Sequence, residues 1–442
     1  MKKQVLIQLA VIILIAVFLN ACKQPQTTST VEQPSASPVI PIERGSDNQA
    51  IRFLEDRIKR NPDDFIANNK LVSEYLQLLR ETGNITYLNL ADRAANASLA
   101  SLPAEQNKGG LIALTQVEFS LHKFAAARDH AKRLSELDPN KGYPYQFLGD
   151  ALLELGQYDE AEKAFQKMDE LGGIRDMTKV AIDQRLARVA LLHGDNKKAA
   201  MYFSLALKTA SAMPEPPKET IAWCQWQLGD TAFAGGEYEA AEKYYRQSLE
   251  TFPDYFRSLA ALGRVRAARG DMNEAIGLYE KVVKILPDPG FIASLGDLYK
   301  LAGREQEAQD QYALVEKIGQ LTAAGTAVYS RQLALFYADH DLKPEEAYQS
   351  AAKEYEVRRD IYGADALAWT ALKAGKTAEA KTAITEALKL GTKDAKIYYH
   401  AGMIEKALGN TAEAKRFLGL CLKTSPGFDP LQAVEVRKAL GA

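Results

Sequence analysis

Cysteine is nearly missing from this 442-residue chain, which has only Cys22, Cys224 and Cys421. Three such widely spaced thiols cannot build a disulfide framework. Histidine is almost as scarce: His122, His130, His193, His340 and His400 are dispersed, and His122 and His130 have no nearby cysteine to complete a zinc site. A dominant charge is also lacking. The 55 Lys and Arg offset 57 Asp and Glu for a net charge of −2, which leaves no footprint for nucleic acid. No Gly-rich phosphate cradle is present. The paired acids Asp159-Glu160 and Glu345-Glu346 sit where helices begin, and there negative charge favours the helix dipole. These absences argue against an enzyme and leave no metal, cofactor or small-molecule substrate to assign.

What the chain does have is repetition. QFLGDALLELGQYDEAEKAFQKM places Gly156, Ala161 and Phe165, and QLGDTAFAGGEYEAAEKYYRQSLETFP places Gly236, Ala241, Tyr245 and Pro253. The same order returns as Gly270, Ala275, Tyr279 and Pro287, as Gly303, Ala308 and Tyr312, as Gly375, Ala380 and Ile384, and as Gly409, Ala414, Leu418 and Pro426. Before each Gly, apolar residues recur at helical spacing, as in Tyr145, Leu148, Leu152 and Leu155, so one stripe of a first helix is buried. The Gly ends that helix in a left-handed cap. A second helix carries the Ala at a close helix approach and a bulky residue four positions on, and Pro then stops it.

A period of about 34 residues in a helix-turn-helix unit resembles the tetratricopeptide repeat. The family's Leu-Gly pair stands here as Leu148-Gly149, Leu228-Gly229, Leu262-Gly263 and Leu295-Gly296, and its Tyr as Tyr299 and Tyr337. Ten units are expected, beginning near residues 65, 108, 142, 180, 222, 256, 289, 327, 361 and 395. Their alanines are Ala91, Ala127, Ala161, Ala199, Ala241, Ala275, Ala308, Ala347, Ala380 and Ala414. The unit at 65 has a longer turn, that at 327 an extra residue in HDLKPEEA, and PEPPK at 214–218 marks a longer connection. Ala50, Leu54 and Ile58 read as an opening half-unit and DPLQAVEVRKAL as a closing helix, the caps a solenoid requires. The resemblance implies an all-α, right-handed superhelical solenoid of about ten repeats over residues 46–442, with a C-terminal capping helix.

Lys2 and Lys3 precede VLIQLAVIILIAVFL, which is apolar except for Gln8 and too short for the ~20 residues of a spanning helix. Leu19-Asn20-Ala21-Cys22 resembles the bacterial lipobox, whose cysteine is acylated after the signal is removed. The expectation is therefore a signal peptide over 1–21, lipid on Cys22 as the contact with the bilayer, and a disordered Pro/Ser/Thr-rich tether over 22–45. With Lys23 next to the lipid site, such a lipoprotein resembles those of the outer membrane, facing the periplasm, in a cell with two membranes.

The resemblance places first helices on a concave face that binds polypeptides. The expected groove residues are Arg185, Arg188, Trp223, Trp226, Asp230, Arg264, Arg331, Trp369 and Tyr399, with Arg257 beside Arg264. Trp and Arg are common binding anchors, and Trp223, Trp226 and Asp230 share one helix face. The function expected is an envelope adaptor for protein or peptide partners in assembly, secretion or polysaccharide export. The alternative is a structural, self-associating subunit of a larger envelope complex.

Overall fold

The computed structural model describes residues 49–172, 177–322 and 330–441. Cys22, the signal run and the tether lie outside them.

The described residues form an opening helix, α1 (Gln49–Arg60), and ten helix pairs. The first five pairs are α2 (Phe65–Thr82) with α3 (Thr86–Ser101), α4 (Lys108–Ser120) with α5 (Phe124–Leu137), α6 (Tyr143–Glu154) with α7 (Tyr158–Leu171), α8 (Met177–Leu192) with α9 (Asn196–Ser211), and α10 (Lys218–Ala234) with α11 (Tyr238–Thr251). The second five are α12 (Phe256–Arg269) with α13 (Met272–Ile285), α14 (Pro289–Leu301) with α15 (Glu305–Thr322), α16 (Ser330–Asp339) with α17 (Pro344–Val357), α18 (Ile361–Lys373) with α19 (Thr377–Ala387), and α20 (Ala395–Ala407) with α21 (Thr411–Thr424). A last helix, α22 (Gln432–Leu440), closes the array against α21. Each helix packs on its sequence neighbours, as a solenoid does.

The repeat residues do what their chemistry suggests. All ten expected alanines are buried, none more than 4% exposed. Opposite them the Leu-Gly glycines face a ring: a Cβ on Gly263 would lie 2.8 Å from Tyr279, one on Gly296 2.6 Å from Tyr312, and one on Gly229 would collide with Tyr245. Only hydrogen at these positions lets the first helix meet the aromatic of the second. The turn glycines are left-handed, as at Gly236 (φ 75°) and Gly270 (φ 86°). Units two and eight put His122 (φ 60°) and Asp341 (φ 54°) there, residue types that tolerate the conformation. Lys343 also adopts positive φ, 43°, which absorbs the extra residue of the eighth unit. Cys224 and Cys421 are free and buried, their thiols pushed up to about 11 and about 12 by burial.

The ribbon of helices coils until its edges meet. The Ile361 N–H donates to Tyr158 Oη (2.7 Å) and the Gly427 N–H to Tyr238 Oη (2.6 Å), pairs 203 and 189 residues apart. Ser425 Oγ donates to the Phe233 carbonyl (3.0 Å) and Thr392 Oγ1 to that of Leu192. The turn inside one unit thus touches the loop that follows the unit five further on.

Two substitutions of one type should act in opposite directions. Gly229→Ala overpacks the Tyr245 ring and should cost about 2 kcal/mol. Gly277→Ala, in α13 with nothing within 4 Å of the added methyl, should gain about 0.5–1 kcal/mol. Urea denaturation of the two variants measures both; a loss at Gly277 as large as at Gly229 would contradict the packing described.

Candidate functional site

The candidate arginines are engaged within the protein. Arg185 pairs with Asp150 (2.5 Å), Arg188 with Glu154, and Arg264 with Asp230 (2.5 Å), and the two members of each pair lie 34 or 35 residues apart. The separation is one repeat, so these bonds form a ladder between successive first helices. Arg331 is held by Asp360 (2.7 Å) and Glu354 (2.9 Å) and is largely buried. Glu154 also meets Arg358. Burial alone would raise the Glu154 carboxyl, but the Arg188 and Arg358 guanidiniums outweigh it and hold it down at about 2.

Trp369 and Tyr399 are core residues, each 1% exposed, and not groove contacts. Trp369 stacks on His400 (4.4 Å between ring centroids) and donates its Nε1–H to Asp339 (2.8 Å). Asp339 also accepts from Lys396 (2.9 Å) and Gln432 (2.8 Å), so one carboxylate joins α16, α18, α20 and α22. Tyr399 donates to Glu435 on α22. The helical period placed both side chains on the first helix but could not show that α22 folds over them.

Trp226, Asp230 and Arg264 do come together. With Phe256, Arg257 and Phe291 they line an open cavity of about 750 Å³ on the inner side of the coil, which Leu79, Arg80 and His122 from the first two units also line. The Trp226 Nε1–H is buried without a hydrogen-bond acceptor. Arg257 lies over the Trp226 ring (5.3 Å) and the Phe256 ring (4.9 Å). Trp223 packs edge-on against Phe203 (5.9 Å) and Trp226 (6.3 Å), supporting the wall from behind. A second cavity of about 290 Å³, lined by Phe119, Phe147, Asp150 and Arg185, shares Leu79, Arg80 and Ser120 with the first. The sequence left Arg80, Phe256 and Phe291 unmarked. Arg80 reaches the site only because the coil returns, and no local pattern reports that. The ladder was readable, since opposite charges stand one repeat apart at Asp150/Arg185 and Asp230/Arg264.

Among the described residues no three His, Cys, Asp or Glu come together as metal ligands, and no helix is long and apolar enough to cross a membrane.

Tetratricopeptide repeat family models match residues 143–171, 179–254, 227–288 and 366–416. This chain is a tetratricopeptide repeat protein. A curated relative, the TPR repeat-containing protein YpiA of Bacillus subtilis (strain 168), is 26% identical over 311 residues, 65% of this chain and 68% of its own. Similar solved structures include a tetratricopeptide repeat protein from Parabacteroides merdae ATCC 43184, at 16% identity and a TM-score of 0.32, covering 60% of this chain and 99% of that one. Another is PilW, a type IV pilus biogenesis factor, at 18% identity and a TM-score of 0.39, covering 48% of this chain and 91% of that one. Tetratricopeptide repeat proteins are scaffolds for protein partners and in general are not enzymes.

The cavity wall carries a titration that can be read. Burial, with Arg358 adding to it, pushes the His122 imidazole down to about 4. Its neutral form belongs to the folded state, so its contribution is intact above the ordinary value of ~6.5 and is lost as pH falls from there toward 4. His130, raised by its Glu118 hydrogen bond, has the opposite sign. So does His340, where burial is outweighed by Asp297. His122→Asn keeps a residue suited to positive φ. It should shrink the loss of melting temperature between pH 7 and pH 5; a loss equal to that of the parent would locate the acid sensitivity elsewhere.

Proposed function

We propose that this protein is a lipid-anchored scaffold of the bacterial cell envelope, tethered through Cys22 and binding polypeptide partners at the inner surface of its coil. The observation that carries the binding site is the cavity at Trp226 and Arg257. There an indole N–H lacks an acceptor, and Arg257, in no ion pair among the described residues, is held by aromatic faces. A peptide carbonyl or carboxylate satisfies both groups while its apolar side chains meet Phe256 and Phe291. Arg188 and Arg331 serve the scaffold in this proposal, because their carboxylate partners are supplied from within. The anchor rests on the lipobox-like Leu19-Asn20-Ala21-Cys22 and the apolar run before it. A role in assembly, secretion or polysaccharide export at the periplasmic face of an outer membrane fits a folded scaffold held on a Pro-rich tether.

Binding and anchoring are tested separately. Trp226→Ala with Arg257→Ala in the full chain should lose the partners that the parent captures by affinity purification, while its far-ultraviolet circular dichroism stays that of the folded helical array. Unchanged recovery would remove the cavity from the partner site. Cys22→Ser should abolish metabolic labelling with a fatty acid and shift the protein to the soluble fraction, whereas retention in membranes would replace the lipid by an uncleaved anchor.

A further inference from the structure

The ribbon has two edges, one made of the turns within units and the other of the loops between them. In units one, three, four and five the turn glycine is covered: a Cβ on Gly83 would strike Leu286, on Gly156 the Arg359 carbonyl and on Gly194 the Gly391 oxygen, and on Gly236 it would lie 3.3 Å from the Pro426 ring. In units six, seven, nine and ten, Gly270, Gly303, Gly375 and Gly409 have nothing within 4 Å. All eight adopt the same left-handed turn, φ 70–86°. The difference is therefore tertiary: the first half of the array offers its turn edge to the loops of the second.

The side chain two places after the turn sorts only partly with this division, being Ile85 in unit one and Asn196 in unit four. It is Tyr158 in unit three and Tyr238 in unit five, and each hydroxyl accepts a backbone N–H from across the seam. In the second unit it is Phe124, whose ring lies under Arg358 (4.8 Å). At the uncovered turns it is Met272, Glu305, Thr377 and Thr411. Arg358 completes the seam by bridging Glu154 of unit three to Glu354 and Asp360 of its own edge. Ile361 is the chief apolar contribution, entering the cluster of Leu153, Tyr158 and Leu192. Leu390 packs on the same cluster, and Leu286 and Pro426 meet Gly83 and Gly236; the remaining contacts of the seam are polar. Hydrogen bonds and ion pairs of this kind exchange for water at modest net cost, about 1 kcal/mol each for hydrogen bonds, whereas the Ala and aromatic contacts inside each unit do not.

We propose that the seam is a latch. The resting coil is shut where units three to five meet the loops after units eight to ten, and a polypeptide reaches the inner surface by parting those two edges while every helix pair stays folded. The closed seam stands on its own contacts; its role in admitting a partner rests on the inner surface being the binding face.

The test uses the full chain with Tyr158→Phe and Tyr238→Phe, which keep both rings and remove only the two hydroxyls, that of Tyr238 also bonded to Ser425 Oγ (3.2 Å). In the parent the Ile361 and Gly427 amides should exchange with deuterium well below the rate of unprotected amides. In the double variant they should exchange about fivefold faster, the change expected for one lost hydrogen bond, with exchange at Ala161 and Ala241 unaltered. The radius of gyration from solution scattering should rise, and acrylamide should quench tryptophan emission more strongly as Trp223 and Trp226 open to solvent. Parent amides at Ile361 and Gly427 exchanging at the unprotected rate would overturn the closed seam. Faster exchange with unchanged scattering and quenching would overturn the latch, because the edges would then lose a bond without parting. None of these readouts needs a partner, so failure of the latch and failure of the cavity at Trp226 and Arg257 are told apart.

Discussion

The ring of Tyr245 lies so close to Gly229 that a single methyl group there would collide with it, and the contact recurs as Tyr279 on Gly263 and Tyr312 on Gly296. This approach sets the distance between the two helices of a unit. The buried alanine of the second helix preserves it from the other side. Because each unit then stacks on the next in nearly the same way, a small fixed rotation is copied along the chain. The coil, its inner surface and the meeting of its edges after five units all descend from that local distance.

The fold was legible for the same reason. Ala127 and Ala199 mark their units in weak copies, and the left-handed turn survives at His122 and Asp341, where glycine is absent but the steric demand is met by another residue. The opening helix and the closing helix were likewise readable, from an apolar stripe with no partner before or after it. Much of the candidate site was not. A stripe tells which way a side chain leaves its own helix, and it placed Trp369 and Tyr399 correctly on first helices. It does not tell what arrives from elsewhere, and both are enclosed once α22 and its Glu435 and Gln432 fold against them. Arg80 is the reverse case, an unremarkable residue on α2 that the coil carries to the cavity of Trp226.

Charge does two jobs in this array. Between successive first helices it forms the regular ladder of Arg185 with Asp150, largely buried, and Arg264 with Asp230, partly exposed. At Asp339 and at Glu154 it becomes local and buried, with several donors converging on one carboxylate from different units. The ladder follows the period and stiffens neighbours. The two nodes add partners from distant units and join parts that the period alone would leave independent, which makes the molecule less one-dimensional than a plain solenoid.

The seam also imposes an order on the birth of the molecule. Tyr158 and Tyr238 are made long before Ile361 and Gly427, 203 and 189 residues later in the chain. At a synthesis rate of ~5–20 residues per second the interval is roughly 10–40 s. Until the second half is present, the first units carry an unfinished edge, with tyrosine hydroxyls and the Leu192 and Phe233 carbonyls still in water. A nascent chain of this kind closes its seam first to last along its length, and only the final loop, Ser425 to Gly427, completes the contacts of the fifth unit.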